Sequence, residues 1–455
     1  MTKKFRDLLF NLFIVVFIIG TVALSLYASG YKFNLSFPLD FNRLLVKTGI
    51  IALDSNPKNA TIFINGQKEP SISWRPWKKT YLSTPAKIRN LIPGDYEIVI
   101  EKPGYWPFKT ILRVNSGLTT FYEDISLFKS DNPTIKTISD ESIAEEILQL
   151  SPNHHFLYLE RSAKIINLAK NDEERKIFVN DYADLDEDIK NQIGLWQKNN
   201  ELLLGGIFLS PENEAKDRNF LSIIGLGAYN WKFIDNKLFY QNAKSLSSLD
   251  VSQNIAEVVL PIENIINYLI EGDKLLIIIN DNNQVFLKEY SLEKKVLSSE
   301  LILPNDGNYH FQEIKNNFLS VYDKKNNSLY LIEIDNINKG YRTVKSVKDW
   351  SWDEDGGIFF ITDWELQYFN IKENRFQLLA RLSSNLERLL INKEKNYLLL
   401  FSKTNINVLD LKTNHITTIL EAEKIISPVI DKDEDLLYFW GQIKDQQGVY
   451  RISIK

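Results

Sequence analysis

Cysteine is absent from all 455 residues, which excludes disulfides, thiolate metal sites and cysteine nucleophiles together. Histidine is scarce. The four present are His154, His155, His310 and His415, and on a strand the adjacent pair would point to opposite faces, so the two do not readily share a metal. Also missing are a Gly-x-Ser-x-Gly elbow, a Walker loop and a His-Glu-x-x-His helix. Gly225-Leu226-Gly227 is not a dinucleotide fingerprint, since it lacks the third glycine and the helix that should follow. No charge of one sign dominates: the formal net charge is −5 and no basic face stands out, which argues against nucleic acid as a partner. Low-complexity tracts are lacking as well. Hydrophobic residues at 44% and aromatics at 12% suffice for packed cores in a chain whose length implies roughly two to four domains. Abundant Asn, Lys and Ile fit a low-GC prokaryote, in which the sequons at Asn34, Asn59 and Asn326 are compositional accidents.

A long apolar run occurs at the N-terminus. Leu8 to Tyr27 carries no charge, and at 1.5 Å rise per residue it matches the ~30 Å hydrocarbon core of a bilayer. Lys3, Lys4 and Arg6 precede it and only Lys32 follows closely, so the positive-inside rule keeps the N-terminus cytoplasmic and places the rest outside. The partner here is the membrane, through Leu8–Tyr27. The alternative is a cleaved signal peptide, because Tyr27-Ala28-Ser29-Gly30 supplies small residues near the end of the run. Residues 31–47 read as a linker.

From 48 to 129 short alternating segments are punctuated by turns. Thr61–Asn65 runs into Asn65-Gly66, the dipeptide of a primed hairpin turn, and Pro93-Gly94 and Pro103-Gly104 bracket Tyr96–Glu101. Such a unit is a small antiparallel β-sandwich. Pro57-Lys58-Asn59-Ala60, Asn65-Gly66, Thr84-Pro85, Pro93-Gly94-Asp95-Tyr96 and Gly104-Tyr105 stand in an order and spacing that resembles the PEGA domain, a small surface-associated β module. Lys58-Asn59 replaces Glu-Gly of that pattern, and an insertion from about 68 to 82 separates the hairpin from Thr84. The resemblance covers about 80 residues and implies a β module exposed at the cell surface.

That insertion, KEPSISWRPWKKTYL, interleaves Trp74, Trp77 and Tyr81 with Arg75, Lys78 and Lys79. Aromatics beside cations stack on sugar rings or sit at lipid headgroups. The bland reading, which the residues favour, is that the two indoles cover the edge of the sandwich and pack on Trp106. The candidate ligand-binding residues are therefore Trp74, Arg75, Trp77, Tyr81 and Trp106.

Residues 130–455 repeat. Turns enter apolar strands at Phe156, Leu202, Leu238, Leu275, Phe318, Ile358, Tyr397 and Leu436, about 36 to 46 residues apart and averaging about 40, the length of a four-stranded propeller blade. Stretches such as NINVLDLKTNHITTIL supply the two outer strands. Ser151-Pro152-Asn153 resembles the blade turn of WD-repeat and TolB-like propellers. The last copy ends one strand short at GVYRISIK, and Ile135–Ile138 of PTIKTIS is positioned to complete it and hide the edges. The expected architecture is all-β apart from one transmembrane helix (1–30): a sandwich at 48–129 and a propeller at 130–455, of about eight blades or alternatively seven.

Acidic runs at Asp353-Glu354-Asp355-Gly356 and Asp431–Asp435 begin like calcium loops but lack the Gly and Glu of positions six and twelve; Asp184, Asp186 and Asp188 likewise meet Ile189 where Gly belongs. Turns explain them better than a metal, and no cofactor or metal is expected. The expected function is a membrane-anchored extracytoplasmic binding or scaffold protein that contacts a cell-envelope polymer or a surface protein, not an enzyme. The alternative is a propeller enzyme acting on glycans or peptides outside the cell, with carboxylates of different blades meeting at the channel.

Overall fold

The computed structural model describes residues 3–33, 45–71, 80–138, 145–150, short segments between 156 and 208, and 228–455 apart from scattered turn positions. The Trp74, Arg75 and Trp77 candidates, the His154-His155 pair, Ser151–Asn153, Asp184–Asp188 and Gly225–Gly227 lie outside the described residues. Two compact units emerge: one comprises residues 1–132 with 408–419 and 454–455, the other 133–407 with 420–453.

In the first unit, α1 (Lys3–Ala28) contains an apolar stretch, Leu8–Ala28, of 21 residues with mean hydropathy 2.6. Its side chains are left bare, with Phe17 74% and Leu24 70% exposed. A short hairpin of β1 (Tyr31–Phe33) and β2 (Leu45–Lys47) follows. Next come β3 (Gly49–Asn56), β4 (Thr61–Ile64), β5 (Gln67–Lys68), β6 (Pro70–Ser71), β7 (Thr80–Tyr81), β8 (Ala86–Leu91), β9 (Gly94–Glu101), β10 (Phe108–Val114) and β11 (Thr119–Ser126). They form a sheet in the order β10-β9-β4-β5, a sheet in the order β11-β3-β8 and a β6–β7 ribbon. Alternation does the packing: Ile51, Leu53, Ile62, Ile98, Ile100, Phe108, Leu112 and Ile125 turn inward to one core. Asn65 and Gly66 take φ of 48° and 77°, the left-handed pair that a type I′ hairpin needs. The sandwich is antiparallel except at one pair, β3 with β11, which runs parallel. These strands open and close the module, so the intervening chain is long enough for a crossover that no hairpin permits.

In the second unit the chain from Leu148 onward folds into consecutive antiparallel sheets in sequence order. Among the described residues seven sheets have four strands and the one starting at Leu195–Lys198 has three, counting the sheet completed by β12 (Thr134–Ile138). Each position aligned in the sequence, Phe156 through Leu436, falls in the second strand of its sheet. Apolar runs sit between neighbouring sheets. Leu275, Ile277 and Ile279 pack toward the preceding sheet with Phe239 and Leu246, while Leu276 and Ile278 pack toward the following one with Leu319 and Val321. A strand buried on both faces reads as a continuous apolar run instead of an alternating one, which is why LLIII stands there. The ring closes twice over. β12 pairs with the strand Gln446–Ser453 (Thr134 opposite Arg451, Ile138 opposite Gly448), and Tyr438 and Trp440 of the last sheet share a cluster with Leu148, Leu157 and Leu159 of the first. The fold is a β-propeller.

Candidate functional site

Of the sequence-derived candidates, Tyr81 and Trp106 are described. Tyr81 lies on β7 opposite Pro70, 46% exposed, and the Lys68 ammonium sits 5.4 Å from both the Tyr81 and the Phe63 ring centroids. A cation between two rings fixes an aromatic patch on the surface. Trp106 stands on the β9–β10 connection, 36% exposed, its backbone N–H donating to Phe128 O at 2.8 Å. Among the described residues no ring contact joins Tyr81 to Trp106.

The residues that carry the family pattern serve the fold. Thr84 is almost sealed: its Oγ1 is 2.6 Å from Ser55 Oγ and accepts from Ala60 N at 3.1 Å, its N–H donates to Ala60 O, and its carbonyl accepts from Asn59 N. Tyr96 donates its hydroxyl proton to Ile92 O at 2.8 Å, and burial raises its pKa. Gly104 has φ 80° and accepts from Ser130 N. Thr-Pro, Pro-Gly-x-Tyr and Gly-Tyr thus knot loop to strand.

The residues 408–419 of the first unit bring a polar group that sequence reasoning did not single out. Asp410, buried, accepts from Lys412 N at 2.8 Å and Thr413 N at 3.1 Å through one oxygen and from Ser126 N at 3.0 Å through the other. His415 lies 4.3 Å from the Phe108 ring, and burial lowers its pKa against the opposing pull of Asp410. The Asp410-Leu411-Lys412-Thr413-Asn414 hairpin was the available signal, but it announces a turn and not its partner 284 residues away.

In the propeller, the acidic runs end in turns. Asp431 accepts from Asp433 N at 3.1 Å, Asp353 from the Tyr368 hydroxyl at 3.0 Å, and Asp435 from the Tyr397 hydroxyl at 2.8 Å and Asn392 Nδ2 at 3.2 Å. Burial and the Asp435 charge push the Tyr397 pKa upward, as expected of a hydroxyl that donates to a carboxylate. Among the described residues no three His, Asp or Glu side chains converge as metal ligands. Lys232 is desolvated: its ammonium lies 4.7 Å from the Tyr268 ring and donates to Tyr268 O, and burial pushes its pKa down to about 8.

Comparison with known proteins assigns the sandwich. Residues 48–124 match the PEGA domain family. The PEGA module so defined runs from the end of β2 to the bulge of β11, and the knot around Thr84 lies within it. No curated protein matches the chain. Among solved structures, the WD40 domain of Neurospora crassa Pan2 is similar over 71% of this chain and 96% of its own, at 9% identity and a TM-score of 0.38. Hsv2 of Kluyveromyces lactis is similar over 47% of this chain and 70% of its own, at 10% identity and a TM-score of 0.34. These scores are low, and the propeller rests on the strand pairing of the chain itself.

Proposed function

We propose that this chain is a membrane-anchored binding or scaffold protein of the cell envelope, held by α1 with its N-terminus cytoplasmic and its PEGA module and propeller outside. The observation that carries the reading is α1: an apolar helix of spanning length whose apolar side chains stay exposed, followed through the short β1–β2 hairpin by a PEGA module. Lys3, Lys4 and Arg6 before it supply the inward bias. The propeller's acidic runs are occupied in turns and tyrosine hydrogen bonds, which favours a contact surface over a hydrolytic one, and the module's Trp74–Tyr81 insertion with Trp106 supplies aromatic contacts suited to a glycan or a surface protein.

The test is co-sedimentation of the purified full chain, in detergent, with isolated prokaryotic cell envelope. The full chain is expected to pellet with the envelope, and Trp74→Ala with Trp77→Ala to reduce the bound fraction several-fold while leaving the unfolding midpoint in place. Retained binding with a lowered midpoint would make those rings structural and hand recognition to the propeller. Release of soluble sugars or peptides from the envelope would overturn the non-enzymatic reading.

A further inference from the structure

The end of the sandwich that adjoins α1 carries a surface of its own. Hydrogen bonds lead from helix to turn in short steps: Asn90 Nδ2 donates to the Tyr27 hydroxyl at 2.9 Å, Thr48 N and Oγ1 donate to Gly30 O at 2.7 and 2.8 Å, Gly117 N donates to Thr48 O at 3.0 Å, and Ser116 Oγ donates to Lys47 O at 3.1 Å. The turn Asn115–Leu118 closes through Leu118 N to Asn115 O at 3.2 Å, with Gly117 at φ 71° in the position where a type II turn demands a left-handed residue. Leu118 is thereby held out from the protein, 60% exposed, and Leu45 on β2 is 40% exposed.

Cations stand on the strands that neighbour these two leucines. The Lys47 side chain crosses the turn, so that a Cβ on Gly117 would lie 3.2 Å from its Nζ. Lys32 on β1 and Arg89 on β8 are exposed, and Arg113 faces Asp95 across β10 and β9. An exposed apolar turn crossed by a lysine, with further cations on neighbouring strands, is the pattern of an interfacial membrane contact. If Leu8–Ala28 fills the apolar core, the hydrogen-bonded steps from Tyr27 and Gly30 put the turn at the headgroup layer, which is roughly 5–8 Å deep on each side. Tyr27 and Tyr31 flank the exit of the helix, where aromatic side chains settle at the interface.

We propose that this end of the PEGA module rests on the outer leaflet, with Leu118 inserted at the headgroup boundary and Lys47, Lys32 and Arg89 against anionic headgroups. The contact rests on the reading of α1 as a membrane span. It makes the module a foot on the bilayer and not merely a spacer above it.

Because the chain has no cysteine, single-cysteine variants report the depth of one site each. Full chains carrying Val16→Cys, Leu118→Cys or Lys58→Cys are labelled with a polarity-sensitive fluorophore and reconstituted in phosphatidylcholine vesicles, with or without phosphatidylglycerol, that contain quencher-bearing lipids. Lys58 follows β3, whose eight residues carry the chain roughly 25 Å from the Gly117 end. The label at 118 is expected to be quenched several-fold more than that at 58, and more strongly with phosphatidylglycerol; Lys47→Gln with Lys32→Gln should remove that increment. Quenching at 16 but equal, weak quenching at 118 and 58 overturns the contact and leaves the span standing. Absence of quenching at 16 overturns the span, and the contact with it. Strong quenching at 118 that ignores phosphatidylglycerol overturns the recognition of anionic headgroups.

Discussion

The imidazole of His415 is pressed against Phe108 with ring centroids 4.3 Å apart, in a setting where burial disfavours its charged form. Its folded pKa lies below the unfolded value near 6.5, so the unfolded state binds more protons through that window and stability rises with pH there. Acidification through pH 6.5 toward the lowered pKa should therefore destabilise the first unit, with a slope from this group of at most about 1.4 kcal/mol per pH unit. His415→Phe, which keeps a ring on Phe108, should flatten that part of the profile in urea-unfolding curves recorded between pH 5 and 7; an unchanged slope would show that His415 is not the group that titrates. At this scale the sequence was legible where the backbone is special and opaque where partners are remote. Asn65-Gly66 announced its left-handed pair in advance. Thr84-Pro85 was legible as a motif, yet only its bonds to Ser55 and Ala60 show that the hydroxyl is buried structure and not a site. Asp410 gave no hint of Ser126, because a contact between residues so far apart has no local signature.

Among the elements, β12 bears the most testable role. It lies more than 300 residues from the strand it pairs with (Thr134 opposite Arg451), and it covers an edge that would otherwise offer unpaired N–H and C=O groups. Deleting Thr134–Ile138 should lower the thermal midpoint of the chain by several degrees and promote association; an unchanged midpoint and a monodisperse chain would mean that closure depends on side-chain packing around Trp440 alone. The repeat itself could be read from apolar runs alone, because strands buried between two neighbours have no polar face to interrupt them, as at Leu275–Ile279. The parallel β3–β11 pair could not be so read: strand direction is set by the crossover, and side-chain alternation is the same for both directions.

Across the whole molecule, the proposed function depends on which compartment each part faces. The chain combines an apolar helix of spanning length, a PEGA module joined to its end and a closed propeller, and the proposed function reads them as an anchor followed by two outward-facing parts. The helix and repeat were legible because length and period are global features of a sequence. The aromatic candidates were legible only as residue types, since composition says which chemistries are available and not which rings meet: Tyr81 faces Lys68, with no ring contact to Trp106. The most direct measurement is cysteine accessibility in intact cells of a prokaryotic host, using Thr2→Cys, Lys58→Cys and Lys444→Cys in the otherwise cysteine-free full chain. A membrane-impermeant maleimide is expected to label residues 58 and 444 in intact cells and residue 2 only after lysis, with the protein staying in the membrane fraction through carbonate washing. Labelling of residue 2 in intact cells, protection of 58 and 444 until lysis, or release of the chain by carbonate would contradict the anchored, outward-facing arrangement.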